Sequence, residues 1–230
     1  MNSIIKPTIA LICAAGAGLR AGGGIPKQYQ TLANQPMLAH TIAAFAAYPT
    51  FVVIAPDDAW YGELIAPHFD HVTVLRVGGA SRAESICNAL AELDELFDDA
   101  WVMVHDAARP CVTNDAIVRL HDAVLVQGTD AGGLLALPVV DTVKMSDNGV
   151  VKKTLERQKL WLAQTPQMFP LHVLYNAYAD ALIDENSILT DDASVMERAG
   201  YDALLVAGEV RNLKVTYSDD FKLAQFWLTL

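Results

Sequence analysis

The stretch from Ile9 to Tyr29, which joins the first predicted strand to its loop, reads IALICAAGAGLRAGGGIPKQY. It begins as a short apolar run, which is typical of a strand buried on both faces of a parallel sheet. The run breaks into a loop of glycines and alanines that contains Arg20 and is followed by Lys27. Three hypotheses account for such a loop: a secretion signal, a dinucleotide-binding turn and a site for polyphosphate.

The net charge of the chain limits the classes of molecule that it can bind. The 230 residues include 27 acidic and 16 basic side chains, which gives a formal net charge of −11. A general nucleic-acid surface needs a basic patch or stripe, so we expect no nucleic-acid partner. The basic residues Lys6, Arg20 and Lys27 nevertheless all precede Asp57, the first acid. The opening segment is therefore locally positive and suited to phosphate.

Cysteine usage and hydropathy indicate the compartment. Cys13, Cys87 and Cys111 are odd in number and lack metal-ligand spacing, so we predict neither a disulfide framework nor a zinc site. This usage is typical of a reducing cytoplasm. A secretion signal is disfavoured because the apolar run is short and a basic, proline-containing loop follows it at once. No apolar run approaches the roughly 18 residues of a membrane span, so we expect no membrane association.

Apolar, β-rich runs alternate with longer amphipathic stretches, which indicates a sheet covered by helices. The predicted strands are Ile9–Cys13, Phe51–Ala55, Val72–Val77, Trp101–His105 and Gly133–Val139. The predicted helices are Pro36–Ala47, Ala83–Phe97, Asn114–Gln127 and Pro170–Ile183. We therefore predict one α/β domain over residues 1–230, with ligands bound outside the carboxyl ends of the strands.

The segment VVDTVKMSDNGVVKKTL, from Val139 to Leu155, departs from this alternation. It has two period-two runs around Asp147-Asn148-Gly149, which predicts a β-hairpin. A charged hairpin has little core to cover in an α/β chain. We expect an arm over residues 139–160 that either lies idle in solvent or grips a second subunit.

The loop after the first strand fits no standard nucleotide signature. Gly16 to Ala21 matches the loose pattern G-x-G-x-x-G/A, but the dinucleotide version wants an acid about 20 residues later, and Leu32 to Thr50 has none. The pattern G-x-x-x-x-G-K-[ST] is also absent. What remains is a small-residue loop whose amides can approach an anion closely, with Arg20 and Lys27 supplying charge. A surface turn with two solvated cations is the alternative.

Ordered motifs spread over the chain resemble the 2-C-methyl-D-erythritol 4-phosphate cytidylyltransferase family. They are AAGAGLR (residues 14–20), PKQY (26–29), GGASRAES (78–85), HDAARP (105–110), DTVK (141–144), Arg157 followed by Leu160-Trp161, TPQMF (165–169), TDDAS (190–194) and NLKVT (212–216). The resemblance implies a Rossmann-like nucleotidyltransferase sheet flanked by helices, a projecting β-arm, a homodimer and a magnesium-dependent reaction. In that reaction a polyol phosphate attacks the α-phosphate of CTP.

The resemblance also implies roles for individual residues. The implied catalytic residues are Arg20, Lys27 and Lys214. The implied nucleotide-binding residues are Ala14, Ala15, Gly16, Gly18, Gly79, Arg82, Ser85, Asp106 and Ala107. The implied substrate-binding residues are Arg109, Thr142, Arg157 and Thr165, with Thr142 and Arg157 entering the site of the other subunit. Asp106 is the implied ligand of Mg²⁺ or another divalent cation.

Several of these residues have a plain structural alternative. Asp106 could cap the turn after its strand, Arg109 could brace that loop, and Lys214 could be a solvated lysine. His105 we interpret as structural. Asp191 and Asp192 resemble a metal pair, but their place at a helix start favours a cap and a first-turn acid. Arg211 departs from the acid or neutral polar residue that the family often has there, and its effect on Lys214 stays open.

Two other functions compete. Ribitol 5-phosphate cytidylyltransferases share the loop, the base and the mechanism, although Ala108 resembles the methylerythritol enzymes more closely. A non-catalytic nucleotide sensor on the same fold is expected to lack a catalytic cation, whereas Arg20, Lys27 and Lys214 are all present.

Overall fold

The computed structural model describes residues 6–16, 24–127, 131–184 and 188–230. The strands are β1 (Thr8–Cys13), β2 (Thr31–Leu32), β3 (Gln35–Pro36), β4 (Thr50–Val53), β5 (Thr73–Leu75), β6 (Trp101–Asp106), β7 (Gly133–Pro138), β8 (Val143–Asp147), β9 (Val150–Leu155), β10 (Trp161–Pro170) and β11 (Leu204–Ala207). The α-helices are α1 (Met37–Ala44), α2 (Tyr61–Leu64), α3 (Arg82–Leu96), α4 (Asn114–Gln127), α5 (Leu171–Ile183), α6 (Asp192–Arg198) and α7 (Ser218–Leu228). Short 3₁₀ segments cover Lys27–Tyr29, Ala66–His68 and Arg157–Lys159.

Seven strands form the central sheet in the order β11-β7-β10-β6-β1-β4-β5. Strand β1 lies parallel to both β4 and β6, while β10 runs antiparallel to β6 and β7. The register aligns Cys13 with Val53 on one side and with Asp106 on the other. The last residues of three strands therefore lie side by side, and the loops that follow them share one edge of the sheet.

The alternation of side chains along β1 builds a core on each face of the sheet. Ala10 and Ile12 belong to one buried cluster, which includes side chains of α1 and α4. Ile9 and Leu11 belong to the other, which includes side chains of α3 and α5. All four residues are fully buried, because successive side chains of a strand point to opposite faces and helices cover both.

The predicted strands and helices are all present, with small differences in length. The predicted helix Pro36–Ala47 is shorter in the structure, at Met37–Ala44, and the predicted strand Val72–Val77 is reduced to Thr73–Leu75. The sequence interpretation did not include β2, β3, α2, β10, β11 and α7, and for α6 it gave only the start, at Asp191 and Asp192. Strand β10 has prolines at positions 166 and 170 and is polar from Gln164 to Gln167. Because the strands were predicted from apolar runs, this strand was missed.

The predicted hairpin is confirmed as β8 and β9, which pair with each other and, among the described residues, with no other strand. Asn148 and Gly149 both have positive φ, of 48° and 77°, as a tight two-residue hairpin turn requires. Most of its side chains are exposed. None of the helices among the described residues has the length and apolar character that a membrane crossing requires.

Candidate active site

The loop after β1 is held at its start by backbone and side-chain hydrogen bonds. The Ala14 amide donates to the carbonyl of Val53 (2.8 Å), and the Ala14 carbonyl accepts from the Gln28 side chain (2.8 Å). Ala15 and Gly16 follow at the rim of a cleft. Gly18 and Arg20, two of the predicted site residues, lie outside the described residues.

A second loop packs directly against the first. A Cβ on Gly78 would lie 2.6 Å from the Cβ of Ala15 and 2.9 Å from the carbonyl oxygen of Ile54, so only glycine permits this approach. The Ser85 hydroxyl accepts from the amide of Gly79 (2.9 Å) and donates to the carbonyl of Ser81 (2.7 Å). Ser85 therefore shapes the loop that places Gly79 in the cleft.

Asp106, the last residue of β6, lies at the centre of a cluster of cations. Its Oδ1 accepts from Arg82 Nε (3.1 Å), while Oδ2 lies 2.9 Å from Lys214 Nζ and 3.6 Å from Arg109 Nε. Burial by itself would raise the pKa of this carboxyl, but Arg82, Lys214 and Arg109 outweigh burial and hold its pKa well below the usual range. Asp106 is therefore ionised at any working pH.

The two arginines of this cluster differ in how far neighbouring carboxylates offset their burial. Burial lowers the pKa of the Arg109 guanidinium, and Asp106 compensates only in part. Burial also opposes the charge of Arg82, but Asp192 and Asp106 together outweigh it and raise the pKa of Arg82 well above the ordinary value. An arginine loses its proton only far above neutral pH, so both side chains stay charged.

His105 and Thr165 form hydrogen bonds with the backbone of the segment that contains Asp106. The Thr165 hydroxyl accepts from the amide of Asp106 (3.1 Å) and lies 3.0 Å from His105 Nδ1, while His105 Nε2 lies 3.2 Å from the carbonyl of Arg109. A neutral imidazole fits this pattern, with Nε2 donating and Nδ1 accepting. Burial lowers the pKa of His105 to about 4, which agrees with a neutral, structural ring.

The C-terminal part of the chain brings Lys214 to the cluster. The Asn212 side chain donates to the carbonyl of Thr165 (2.8 Å), and Arg109 donates to the carbonyl of Asn212 (2.8 Å). One residue beyond Lys214, the amide of Val215 donates to the carbonyl of Ala108 (2.8 Å). Lys214 is thus not an edge-strand lysine in solvent, since its segment is bonded to the loop after β6 and to β10.

Lys27 meets the same segment from the other side. Its Nζ donates to the carbonyl of Val215 (2.6 Å), so Lys27 contacts the segment that carries Lys214. Arg211 is directed elsewhere, because its guanidinium donates to the carbonyl of Trp227 (2.9 Å) and lies 5.6 Å from the centre of that indole ring. The charge of Arg211 is therefore engaged with α7.

Two clefts meet at Asp106. The larger cleft, of about 540 Å³, is lined by Cys13, Ala14, Ala15, Gly16, Lys27, Gln28, Gly79, Ala80, Ser81, Arg82, Ser85, Asp106, Ala107, Ala108 and Lys214. The smaller cleft, of about 250 Å³, is lined by Arg82, Asp106, Arg109, Ala163, Gln164, Thr165, Gln167, Thr190, Asp191 and Lys214. Arg82, Asp106 and Lys214 border both, so molecules bound in the two clefts would meet there.

The predicted residues of the arm lie apart from these clefts. Thr142 and Arg157 are exposed and are not among the described residues that line either cleft. The Arg157 guanidinium donates to the carbonyl of Val140 at the base of the arm. Within one chain, the arm residues are therefore separate from the cation cluster.

Three residues of the site were missed or underrated in the sequence. Gln28 lies inside the PKQY motif, and a buried amide beside a glycine-rich turn could have suggested its bond to Ala14. Gln164 lies in the unrecognised strand β10. The helix-start interpretation of Asp191 and Asp192 is confirmed for the cap, since Asp191 accepts from the amide of Ser194, but Asp192 also forms a buried ion pair with Arg82 (2.9 Å).

A small-residue turn and converging cations at the carboxyl ends of parallel strands define a phosphate-binding site of an α/β nucleotide-binding fold. Residues 8–230 match the model of the 2-C-methyl-D-erythritol 4-phosphate cytidylyltransferase family. The chain belongs to that family, and the expected fold class and cytidylyltransferase type are confirmed.

Individual relatives support this membership over nearly the whole chain. The chain is 50% identical over 227 residues to the 2-C-methyl-D-erythritol 4-phosphate cytidylyltransferase of Ralstonia nicotianae, covering 94% of this chain and 89% of that one. It is 47% identical to the Chromobacterium violaceum protein of the same name, covering 94% and 96%. The crystal structure of the Francisella tularensis enzyme is 34% identical, with a TM-score of 0.80 and coverage of 96% and 100%.

Proposed function

We propose that this enzyme transfers the cytidylyl group of CTP to the phosphate of 2-C-methyl-D-erythritol 4-phosphate. A phosphate oxygen of the acceptor forms a bond to the α-phosphorus of CTP, and the bond from that phosphorus to the bridging oxygen of the β-phosphate breaks. The products are 4-diphosphocytidyl-2-C-methyl-D-erythritol and pyrophosphate. The observation that carries the proposal is the meeting of two clefts at Arg82, Asp106 and Lys214.

CTP fits the larger cleft. Its phosphates would lie against the small residues Ala14 to Gly16, where backbone amides can approach closely, with Lys27 beside them. Cytosine and ribose would lie near Gly79, Ser85 and Ala107. Support comes from the volume of about 540 Å³, which lies in the range of small-molecule sites.

The acceptor fits the smaller cleft. Arg109 and Lys214 would hold its phosphate, because a guanidinium binds two phosphate oxygens as a fork and an ammonium binds as a point charge. Thr165 has a hydroxyl lone pair left for a polyol hydroxyl after its bonds to Asp106 and His105. The reacting phosphate would then lie at the junction with the larger cleft.

The chemistry needs cations more than it needs a base. A phosphate monoester has a second pKa of about 6, so the nucleophile is already largely ionised at neutral pH. The barrier lies in bringing two anions together and in charge that builds on the departing pyrophosphate. Lys27, Lys214 and Arg20 would stabilise that charge by position and electrostatics. The neutral His105 takes no part.

Asp106 is a chemically suitable ligand for Mg²⁺. Among the described residues, no group of three or more His, Cys, Asp or Glu side chains could hold a metal ion without other ligands. Mg²⁺ takes one or two carboxylates together with phosphates and waters, and Asp106 offers one ionised carboxylate at the junction. Bound there, the ion would neutralise phosphate charge.

We extend the proposal to assembly and compartment. A homodimer in which the hairpin of β8 and β9 reaches the partner would bring Thr142 and Arg157 to the partner's acceptor cleft. The hairpin supports this idea because it forms a two-stranded sheet separate from the central sheet and exposes most of its side chains. The free thiols of Cys13, Cys87 and Cys111 agree with a cytoplasmic location.

Pyrophosphate release from CTP tests the function. Release should require 2-C-methyl-D-erythritol 4-phosphate and magnesium, and ribitol 5-phosphate in its place should give little. Release from CTP without any acceptor, or an equal rate with ribitol 5-phosphate, would contradict the proposed acceptor.

Base choice provides a second arm of the same assay. A pocket that accepts hydrogen bonds from the cytosine amino group leaves a buried mismatch with uracil, which costs about 1–3 kcal/mol. CTP should therefore exceed UTP by at least about tenfold in kcat/KM. Equal use of both nucleotides would exclude the proposed specificity.

A further inference from the structure

Asp192 is a buried carboxylate with no place in the chemistry above. It lies in the first turn of α6, is fully buried and lines neither cleft. Its Oδ1 accepts from the Tyr178 hydroxyl (2.6 Å) and from Arg82 NH1 (3.2 Å), and its Oδ2 accepts from Arg82 NH2 (2.9 Å). The carboxylate is therefore held on one side by α5 and on the other by the first residue of α3.

Arg82 divides its guanidinium between two carboxylates. The two terminal nitrogens face Asp192, and Nε faces Oδ1 of Asp106 at 3.1 Å. A guanidinium is a rigid plane, so fixing its two terminal nitrogens also fixes the direction of Nε. The orientation of Asp192 is in this way transmitted to Asp106.

The consequence at Asp106 is a carboxylate that cannot turn freely. Arg82 holds Oδ1, which leaves Oδ2 directed at Lys214 and Arg109. We propose that Asp192 and Tyr178 are positioning residues that act through Arg82 to orient Asp106 for cytidylyl transfer. This inference rests on the function proposed above.

The net charge of the cluster provides a way to distinguish a positioning role for Asp192 from a purely structural one. Arg82, Arg109 and Lys214 face Asp106 and Asp192, so these five side chains carry one net positive charge. Replacing Asp192 by asparagine removes one negative charge, so the net charge of the cluster rises by one, and it weakens the hydrogen bonds that hold Arg82. An anion should then bind more tightly while the reaction becomes slower. A purely structural ion pair between α3 and α6 has no reason to produce opposite changes.

The first test measures both quantities in Asp192→Asn. We expect kcat at saturating substrates to fall about tenfold, as for the loss of one positioning contact. Inorganic pyrophosphate, titrated by calorimetry in the presence of a chelator, should bind about three- to tenfold more tightly because of the added charge. Weaker pyrophosphate binding together with an unchanged kcat would overturn the proposal.

Tyr178→Phe supplies a variant that keeps both volume and charge. Loss of its bond to Asp192 should lower kcat about threefold, on the scale of one hydrogen bond, and leave pyrophosphate affinity unchanged. Tyr175→Phe, on the same helix, is the matched control and should behave as the wild type. Val195→Ala, a buried residue of α6, controls for weakened packing and should lower stability without changing kcat.

A double-mutant cycle with Asp106→Asn decides whether the effect passes through Asp106. If it does, Asp192→Asn should cost less than about twofold in single-turnover rate once Asp106 is already asparagine. If the rate losses of the two single variants multiply in the double variant, Asp192 acts independently of Asp106 and the inference is refuted. If Asp192→Asn does not fold, the same cycle with Tyr178→Phe gives the answer. A wild-type enzyme inactive with CTP and the acceptor would instead refute the proposed function.

Discussion

The cleft floor, formed by Arg82, Asp106, Arg109 and Lys214, and the hairpin both carry acid–base pairs, but the carboxylates of these pairs differ in burial. At the cleft floor, Lys214 lies 2.9 Å from Asp106; the lysine side chain is 47% exposed, but the carboxylate side chain is only 10% exposed. In the hairpin, Lys152 lies 3.9 Å from Asp147, and these side chains are 53% and 66% exposed. Charges shielded from water interact strongly, whereas exposed pairs are screened and contribute little.

This difference in burial indicates how strongly the sequence of each region is constrained. Removing the carboxylate of Asp106 would leave the positive charges of Arg82, Arg109 and Lys214 facing one another. A change at this residue should therefore affect the stability of the fold as well as the site. The hairpin forms a separate two-stranded sheet with mostly exposed side chains, so its sequence is less constrained by the core.

Lys27→Ala should produce the largest effect, because Lys27 lines the larger cleft at the segment that follows Lys214. We expect kcat to fall on the order of 10²–10³, the scale of losing one preorganised donor. Lys6→Ala, which removes a partly exposed pair with Asp99, is the control and should retain full activity. A folded Lys27→Ala variant that loses less than about threefold in kcat would remove Lys27 from the catalytic residues.

Mixing two inactive variants tests whether the hairpin completes a partner's site. If Arg157 serves the other subunit, Lys27→Ala and Arg157→Ala homodimers should both be nearly inactive. A heterodimer then has one site with both lesions and one with neither, so random exchange should restore about a quarter of all sites by two-fold symmetry. Proven heterodimers without recovered activity would confine Arg157 to its own subunit.

His105 should make stability depend on pH. Its folded pKa of about 4 lies below the unfolded value of 6.5, so below pH 6.5 the unfolded chain binds a proton that the folded chain refuses. Stability should therefore fall as pH drops from 6.5 towards 4, by up to about 3 kcal/mol from this residue.

Urea unfolding at several pH values measures this slope. His105→Gln should flatten the curve between pH 6.5 and 4.5, whereas the matched change at the exposed His68, His68→Gln, should leave the slope as in the wild type. Asp106 contributes in a different window, because its lowered pKa stabilises the fold above its unfolded value of 3.8 and the benefit is lost below that pH. Equal slopes in wild type and His105→Gln would show that the ring is not buried in neutral form.

Lys152→Ala in the hairpin should have the smallest effect. Its pair with Asp147 is exposed, so the free energy of unfolding should change by less than about 0.5 kcal/mol. Thermal unfolding of the variant beside the wild type measures the change. A loss above about 1 kcal/mol would mean that the hairpin charges matter to the fold, and the contrast with the cleft floor would fail.

Much of the fold was predictable because it depends on local pattern. The alternation of Ile9, Ala10, Leu11 and Ile12 between two cores follows from the geometry of a strand, and the turn at Asn148-Gly149 follows from the φ angles that glycine and asparagine tolerate. Strand β10 escaped prediction because its centre, Gln164 to Gln167, is polar, contains Pro166 and interrupts the pairing with β7, so pairing with both β6 and β7 holds only residues from Gln167 onward. No periodicity in that stretch indicates a strand.

The main strands and helices, the hairpin and the family resemblance could be read from the amino-acid sequence, and the phosphate-suited loop could be predicted from it. The folded chain was needed to show that Arg82, Arg109 and Lys214 share Asp106, and that Arg82 also pairs with Asp192, 110 positions along the chain. Local pattern reflects interactions between near neighbours in sequence. The partners of a buried charge come from distant segments, and the sheet register brings them within reach.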